Sequence, residues 1–128
     1  MGYRAVSAAD LALAKQFLGA LAAVATTGER NPLYALLTPD VEWVTQKRSL
    51  VGIDDVRDHL TWVGPRESLD IEFEDLEIAD LGDGRIVSDV HEVYRMKTTG
   101  DFAYACDRRI ELTIRDGRIA RYEMQIVG

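Results

Sequence analysis

The sequence predicts an α+β fold in which three helices pack on one face of a curved, mainly antiparallel sheet. Apolar residues recur at helical spacing in the first half of the 128-residue chain, whereas apolar and polar residues alternate in the second half. Residues 106–126, CDRRIELTIRDGRIARYEMQI, contain two alternating runs joined at Asp116 and Gly117, which indicates a hairpin with one buried face. A helical layer on a curved sheet encloses a cone, so a conical α+β barrel is expected.

The composition fits a single domain spanning residues 1–128, because 47% hydrophobic residues over this length can form one core. Fifteen basic and 22 acidic side chains give a net charge of -7, which argues against nucleic-acid binding. The single cysteine, Cys106, excludes an intramolecular disulfide and fits a cytoplasmic protein. The longest apolar stretch, residues 18–25, is too short for a membrane span, and no signal-peptide pattern opens the chain, so no membrane association is expected.

Two helices are predicted at the start of the chain. The first spans about residues 8–25, beginning after Ser7 in a capping-box-like pattern and stopping before Gly28. A second, shorter helix is expected over residues 31–37, with a proline in its first turn and Pro39 after its last.

One strand and a third helix follow. Residues 41–45 alternate as a first short strand, and after the turn at Gly52 a helix begins at Asp54 or Asp55 and closes at Gly64.

The rest of the chain is predicted to be sheet. Alternation over residues 69–78 changes phase at Glu74 and Asp75, which indicates a bulge and therefore curvature. A turn at residues 82–84 leads into a strand over residues 86–97, and a further turn leads into the hairpin.

Matching of side chains across the hairpin favours a three-residue loop, residues 115–117, over a two-residue Asp-Gly loop, which would place apolar side chains opposite charged ones. The three-residue loop predicts the cross-strand pairs Arg109 with Glu123 and Glu111 with Arg121 on the exposed face. The apolar face then contains Cys106, Ile110, Leu112, Ile114, Ala120, Tyr122, Met124 and Ile126. Arg108 is the one charged residue on that face.

The neighbouring strand supplies a carboxylate for this arginine. Glu92 is the only charge on the face shared by Ile86, Val90 and Tyr94, and a three-residue loop after Thr98 would place it directly across from Arg108. Glu92 and Arg108 are therefore the candidate catalytic residues, a general base held by an arginine or an anchor for an anionic group. The alternative is a structural ion pair whose desolvation offsets most of its attraction.

Further side chains on the same faces are candidates for lining a ligand pocket, namely Tyr34, Trp43, Thr45, Val90, Tyr94, Cys106, Tyr122 and Met124. Phe17, Trp62 and Phe73 are expected in the core. No metal site is predicted, because His59 beside its acidic neighbours has no second histidine nearby. His91 is expected on the exposed face of the sheet. No phosphate loop, dinucleotide motif or serine-nucleophile motif is present, so no cofactor is predicted.

Four segments, LLTPDVEWV, LVGIDDVRDHL, TTGDF and IRDGRIARYEM, occur in an order that resembles the nuclear transport factor 2-like superfamily, closest to its SnoaL-like domains. The resemblance implies a conical barrel with a pocket, frequently in a homodimer. Ketosteroid isomerase-like members carry a catalytic aspartate and a second acid where this chain has Thr45 and about Ile110. Limonene epoxide hydrolase-like members carry Arg, Asp and Asp at the positions of Val90, Glu92 and Met124. Neither activity is therefore implied.

Two functions follow as hypotheses. The first is binding of a small, largely apolar metabolite with cofactor-free acid/base catalysis of an isomerase, cyclase or hydrolase type. The second is a non-catalytic ligand-binding or dimerisation module. A homodimer is expected through the exposed charged face, which carries Arg109, Glu111, Arg121 and Glu123.

Overall fold

The computed structural model describes residues 7–61 and 69–127, with all side chains in these ranges other than those of residues 75 and 76. Three helices and six strands follow in the order α1 (Ala8–Thr26), α2 (Asn31–Tyr34), β1 (Leu37–Val44), β2 (Ser49–Val51), α3 (Ile53–Thr61), β3 (Leu69–Gly82), β4 (Arg85–Met96), β5 (Phe102–Arg115) and β6 (Arg118–Ile126). The prediction for Trp62 and the predicted end of the third helix at Gly64 fall outside the described residues.

The strands form one six-stranded sheet in the order β2-β1-β6-β5-β4-β3. Only the β1–β6 pair is parallel, so the sheet is mainly antiparallel, as the sequence predicted. The outer strands β2 and β3 are not paired with each other, so the curved sheet stays open where a closed barrel was expected. The third helix follows the first strand along the chain, as predicted, and also follows the short strand β2.

Helix α1 begins and packs as its sequence predicts. The Ser7 hydroxyl accepts a hydrogen bond from the backbone N–H of Asp10 at 3.1 Å, which satisfies one of the unpaired donors of the first turn. Its length of 19 residues and mean hydropathy of 1.4 would also suit a membrane span, but core helices meet the same criterion. Phe17, fully buried, contacts the rings of Trp43 on β1 and Tyr122 on β6, so α1 is a core helix of this fold.

The second helix is shorter than predicted because β1 starts early. Helix α2 ends at Tyr34, and Leu37 already pairs with Ile119 of β6. Pairing between these strands is irregular until Glu42, and Pro39, which has no N–H to donate, lies in this interval. The three-residue strand β2, which was not predicted, then pairs with the end of β1.

The bulge predicted in β3 is confirmed. The register with β4 shifts between Glu74 and Glu77, where the phase of the sequence changes. Pairing is regular before this point and resumes after it, so each half of β3 keeps its own alternation.

The register predicted for the hairpin is wrong, although its buried face is right. Arg115 pairs with Arg118 across a two-residue turn, in which Asp116 (φ 53°) and Gly117 (φ 74°) both have positive φ, the geometry of a type I′ turn. A bulge beside Thr113 and Ile114 then shifts the pairing by one residue.

This combination keeps apolar residues together by another route. Ile110 pairs with Met124 and Leu112 with Tyr122, while the fully buried Ile119 takes the core position expected for Ala120. The predicted pairs of Arg109 with Glu123 and Glu111 with Arg121 do not form. The two-residue turn and the bulge together therefore place apolar side chains opposite each other, as the three-residue loop was expected to do.

Candidate functional site

A cavity of about 160 Å³ lies between α1 and the concave face of the sheet. Most of its lining is apolar, and α1 contributes much of it from the face that covers the sheet. The lining residues are Leu18, Leu21, Ala22, Val24, Ala25, Leu60, Ile71, Phe73, Glu92, Tyr94, Arg108, Ile110 and Tyr122. The polar members are all on β4, β5 and β6, so one wall of an otherwise apolar cavity carries hydrogen-bonding groups.

Glu92 and Arg108 meet in this wall. Glu92 is 7% exposed, and its Oε2 lies 3.1 Å from Nε of Arg108. The two residues are not directly opposite, as predicted, because Glu92 pairs with Cys106 and Arg108 pairs with Val90. The turn after β4 is longer than expected and a bulge follows Tyr94, which moves the register by two residues. The side chains still meet because diagonal neighbours on one face are within reach of long side chains.

Tyr94 completes the contacts of one carboxylate oxygen. Its hydroxyl donates to Oε2 of Glu92 at 2.7 Å, the oxygen that also faces Arg108. No hydrogen bond within the described chain reaches the other oxygen, Oε1, and Glu92 lines the cavity. Oε1 is therefore the carboxylate atom left for a bound molecule.

Arg108 is held by its electrostatic attraction to Glu92 more than by well-oriented hydrogen bonds. Its Nε is buried and has no hydrogen-bond partner among the described residues, because the N–H does not point at the carboxylate that lies 3.1 Å away. Nη1 donates to the thioether sulfur of Met124 at 3.5 Å, a weak acceptor. Burial is the largest single effect and opposes the charged guanidinium, but Glu92 together with Tyr94, Cys106 and Tyr122 outweighs it and holds the pKa of Arg108 above its ordinary value.

Tyr122 supplies a second neutral hydroxyl. It is 4% exposed, and its ring packs against that of Trp43 with centroids 4.2 Å apart and an interplanar angle of 34°. Burial raises the pKa of Tyr122 well above its usual range, with Arg108 opposing this shift and Glu92 adding to it. The phenol therefore stays protonated at neutral pH and can donate a hydrogen bond into the cavity.

The predicted pocket residues are divided among several places. Tyr94 and Tyr122 line the cavity, and the half-buried Met124 contacts Arg108 behind it. Trp43 and Val90 are buried in the core, where they support the sheet.

The remaining three lie elsewhere. Tyr34 faces another groove, where its ring lies 5.0 Å below the guanidinium carbon of Arg57. Thr45 directly follows β1, and its hydroxyl accepts a hydrogen bond from the backbone N–H of Arg48 at 3.2 Å. Cys106 is half-buried beside Asp107, with Sγ 3.9 Å from that carbonyl oxygen.

The apolar lining from α1 and β3 was not predicted as part of a site. Leu18, Leu21 and Ala25 have the spacing of one helix face, which indicates burial but not an empty space beside it. Phe73, expected in the core, also borders the cavity. A cavity is a packing property, and no residue pattern along the chain signals it.

The convex face of the sheet carries charges that are paired within the chain. Asp89 accepts two hydrogen bonds from Arg109, at 2.9 and 3.2 Å, and His91 lies 2.5 Å from Asp107, which places His91 on the exposed face as expected. Over residues 7–61 and 69–127, no three histidine, cysteine or acidic side chains are grouped closely enough to hold a metal ion.

No protein-family model matches the chain, and no curated protein matches it. Solved structures do resemble it. An NTF2-like protein from Anabaena variabilis ATCC 29413 is 17% identical, with a TM-score of 0.72 over 99% of this chain and 96% of that one. A putative polyketide cyclase from Xanthomonas campestris pv. campestris is 18% identical, with a TM-score of 0.65 over 91% and 88%.

A putative isomerase from Bacillus subtilis is 13% identical, with a TM-score of 0.68 over 92% of this chain and 88% of that one. Identities this low show a shared fold and leave activity open. The helix and strand order, the curved open sheet and these neighbours agree with the resemblance seen in the sequence. The chain therefore has the fold of the nuclear transport factor 2-like superfamily, which includes the SnoaL-like proteins.

Proposed function

We propose that the protein binds a small, uncharged, largely apolar molecule in the cavity and that Glu92 acts on it as a general base. The observation that carries this proposal is a carboxylate in an apolar cavity, whose Oε2 accepts a hydrogen bond from Tyr94 and faces Arg108 while no hydrogen bond within the described residues reaches Oε1. A base held in one orientation, with its reactive atom facing the bound molecule, is what proton transfer requires.

The size of the cavity limits the ligand. A cavity of about 150 Å³ lined by aliphatic and aromatic side chains holds a benzene-sized molecule, and this one measures about 160 Å³. A single ring with short substituents fits this volume. Pockets for larger ligands usually measure about 300–1,000 Å³.

The polar wall supports proton abstraction next to a carbonyl group. Oε1 of Glu92 would take the proton, while Arg108 and the hydroxyl of Tyr122 would face the oxygen on which negative charge develops. Because Glu92 and Arg108 compensate each other's charge, a neutral ligand is favoured over an anion. The structural similarity to a putative polyketide cyclase and a putative isomerase supports acid/base chemistry of this kind.

Solvent deuterium exchange into small cyclic ketones, followed by NMR, tests this activity without knowledge of the natural substrate. We expect Glu92→Gln to lower the exchange rate by about 10²–10⁴-fold, the usual contribution of a general base. Glu77→Gln, at an exposed position of β3, is the matched control and should keep the rate. An unchanged rate in Glu92→Gln would rule out the catalytic role.

A non-catalytic binding module is the second candidate. Its support is that Tyr94 and Arg108 both occupy Oε2 of Glu92, as in a structural ion pair. In that case cyclic ketones would bind, with chemical-shift changes at Leu21 and Ile71, but would show no catalysed exchange. In both cases we propose a cytoplasmic, single-domain protein that needs no cofactor and binds neither nucleic acid nor membrane.

A further inference from the structure

The two tyrosines of the polar wall each pack against a second aromatic ring. Tyr122 is held in the core, where its ring lies against that of Trp43, a residue 3% exposed. Tyr94 is stacked on Tyr104, with ring centroids 4.3 Å apart and an interplanar angle of 15°. Tyr104 is 37% exposed, so the ring that supports Tyr94 lies at the surface of the protein. One of the two phenols at the cavity is therefore in contact with a surface residue.

Strand pairing produces this stack. Tyr94 on β4 and Tyr104 on β5 are directly opposite each other in the antiparallel ladder. Side chains of directly opposite residues project from the same face, with Cβ atoms about 4.5–5.5 Å apart, which brings two flat rings into contact. The register shifts directly after this pair, because Arg95 pairs with Phe102. The two tyrosines therefore form the last pair of the regular part of the ladder.

The position of the Tyr94 ring fixes the orientation of the Glu92 carboxylate. The hydroxyl of Tyr94 donates to Oε2 at 2.7 Å, and Nε of Arg108 lies 3.1 Å from the same oxygen. The last torsion of a glutamate side chain is broad, so the plane of the carboxylate turns easily unless a neighbour holds it. A reacting group that is displaced by about 1 Å can lose about 10²-fold in rate. The hydrogen bond from Tyr94 therefore matters for any reaction at Oε1.

Tyr104 itself is not a residue of the cavity wall, whereas Tyr94 is. A change at Tyr104 leaves the lining of the cavity in place and reaches Glu92 through the ring of Tyr94. Because Tyr94 borders a cavity, part of its surface has no packed neighbour, and the stacked ring of Tyr104 limits its rotation. Tyr104 thus separates the positioning of the carboxylate from the binding of a ligand.

We propose that Tyr104 is a positioning residue, which holds the phenol of Tyr94 against Oε2 of Glu92 and so keeps Oε1 directed at the bound molecule. This inference rests on the proposed role of Glu92 as the general base. The chain of contacts runs from the surface to the cavity, from the ring of Tyr104 to the ring of Tyr94 and from the hydroxyl of Tyr94 to the carboxylate. The flat ring of Tyr104 is the part of its side chain that this role requires.

The ketone-exchange assay tests this role with variants of both tyrosines. Tyr104→Ala should lower kcat about three- to tenfold, the factor by which one stacked aromatic pair favours a position, and should leave KM unchanged. Tyr104→Phe, which keeps the stacked ring, should retain the wild-type kcat. Phe102→Ala, which removes another exposed aromatic side chain of β5, is the matched control and should retain it too. In Tyr94→Phe, which lacks the hydroxyl, adding Tyr104→Ala should lower kcat by less than about twofold, because Tyr104 acts through that hydroxyl.

A proton NMR measurement tests the same contacts without turnover. The hydroxyl proton of Tyr94 should give a downfield resonance that is protected from water and is lost in Tyr94→Phe. Tyr104→Ala should broaden or remove this resonance through faster exchange with water, and Tyr104→Phe should keep it. If Tyr104→Ala does not fold, Tyr104→Leu keeps an apolar side chain without a flat ring and should show the same losses.

The two measurements separate the failure of this inference from the failure of the proposed function. If the wild type does not catalyse exchange, the assignment of Glu92 as a general base is wrong, and the resonance alone decides whether Tyr104 holds Tyr94. A resonance that is absent from the wild type or unchanged in Tyr104→Ala overturns the proposal. An active wild type whose kcat is unchanged by Tyr104→Ala overturns it as well.

Discussion

At the scale of single residues, the pairing of Glu92 with Arg108 depends on which face each side chain occupies more than on the register between strands. Each is a charge on an otherwise apolar face, and alternation along β4 and β5 shows this in the sequence. The predicted register was off by two residues, yet the 3.1 Å contact forms because long side chains reach diagonal neighbours. Their role in catalysis remains a prediction.

On the convex face, Asp89 gives a prediction about pH. Two hydrogen bonds from Arg109 hold the pKa of Asp89 below its ordinary value, and this outweighs its partial burial. A carboxyl whose pKa is lower in the folded state stabilises the fold above its unfolded pKa of about 3.9, and the contribution is lost as pH falls through the folded value. The pair is about half exposed, so its worth is about 0.2–1 kcal/mol.

Urea unfolding of Asp89→Asn should therefore show a small deficit in free energy at pH 6 that disappears in acid below the folded pKa. Asp101→Asn, which removes an exposed carboxylate without an ion pair in the described chain, is the control. An equal deficit of Asp89→Asn at every pH would contradict this assignment.

At the scale of elements, the turns determine how the long strands meet. Both Asp83-Gly84 and Asp116-Gly117 have positive φ at both positions, and each connects antiparallel strands through two residues. Asp-Gly is a strong signal for a two-residue hairpin turn. The apolar pattern favoured a three-residue loop instead, because with a two-residue turn the apolar residues face each other only when a bulge shifts the register. The sequence therefore located the turn and the buried face, while the bulge beside Ile114 was hidden.

These two turns differ in how closely another strand approaches. A Cβ added at Gly84 would lie 2.6 Å from the carbonyl oxygen of Ile114, whose N–H also bonds the Gly84 carbonyl at 2.7 Å. A Cβ at Gly117 would meet nothing within 4 Å. Both glycines have φ of 73–74°, so the backbone strain of an alanine is the same.

Gly117→Ala should lower the free energy of unfolding by about 1–2 kcal/mol through φ alone. Gly84→Ala should cost about 2–5 kcal/mol, because the strain is joined by a backbone clash. Chemical denaturation of both variants measures the difference in their free energies of unfolding. Equal losses would show that the β5 backbone at Ile114 moves away from the new Cβ without a loss of stability.

At the scale of the whole molecule, α1 on the concave face joins the core and forms the cavity. Phe17 lies between the helix and the sheet, with its ring centroid 6.2 Å from that of Trp43 and 5.5 Å from that of Tyr122. From Leu18 onward the helix leaves space on its cavity side, and the polar wall of the sheet faces this space. Core and cavity are thus built from one helix face.

Phe17→Ala should lower the free energy of unfolding by about 3–5 kcal/mol, the usual cost of truncating a buried phenylalanine. Domains of this size have about 5–15 kcal/mol in total, so the variant should be marginally stable. Gln16→Ala, on the exposed side of α1, is the control and should stay within about 0.5 kcal/mol of the wild type. Thermal and urea unfolding give both values, and a loss below 1 kcal/mol for Phe17→Ala would show that the core collapses around the gap.

The sequence by itself determined the α+β class, the helix start at Ser7, the bulge in β3, the two charges on buried faces and the resemblance to the nuclear transport factor 2-like superfamily. These properties are local, since they depend on periodicity, caps and turn residues. The tertiary structure alone decided the open sheet, the register that makes Glu92 and Arg108 diagonal neighbours, and the cavity beside α1. The open sheet, the register and the cavity depend on how distant segments of the chain pack and on where that packing leaves space. No single stretch of the sequence encodes either the packing or the space.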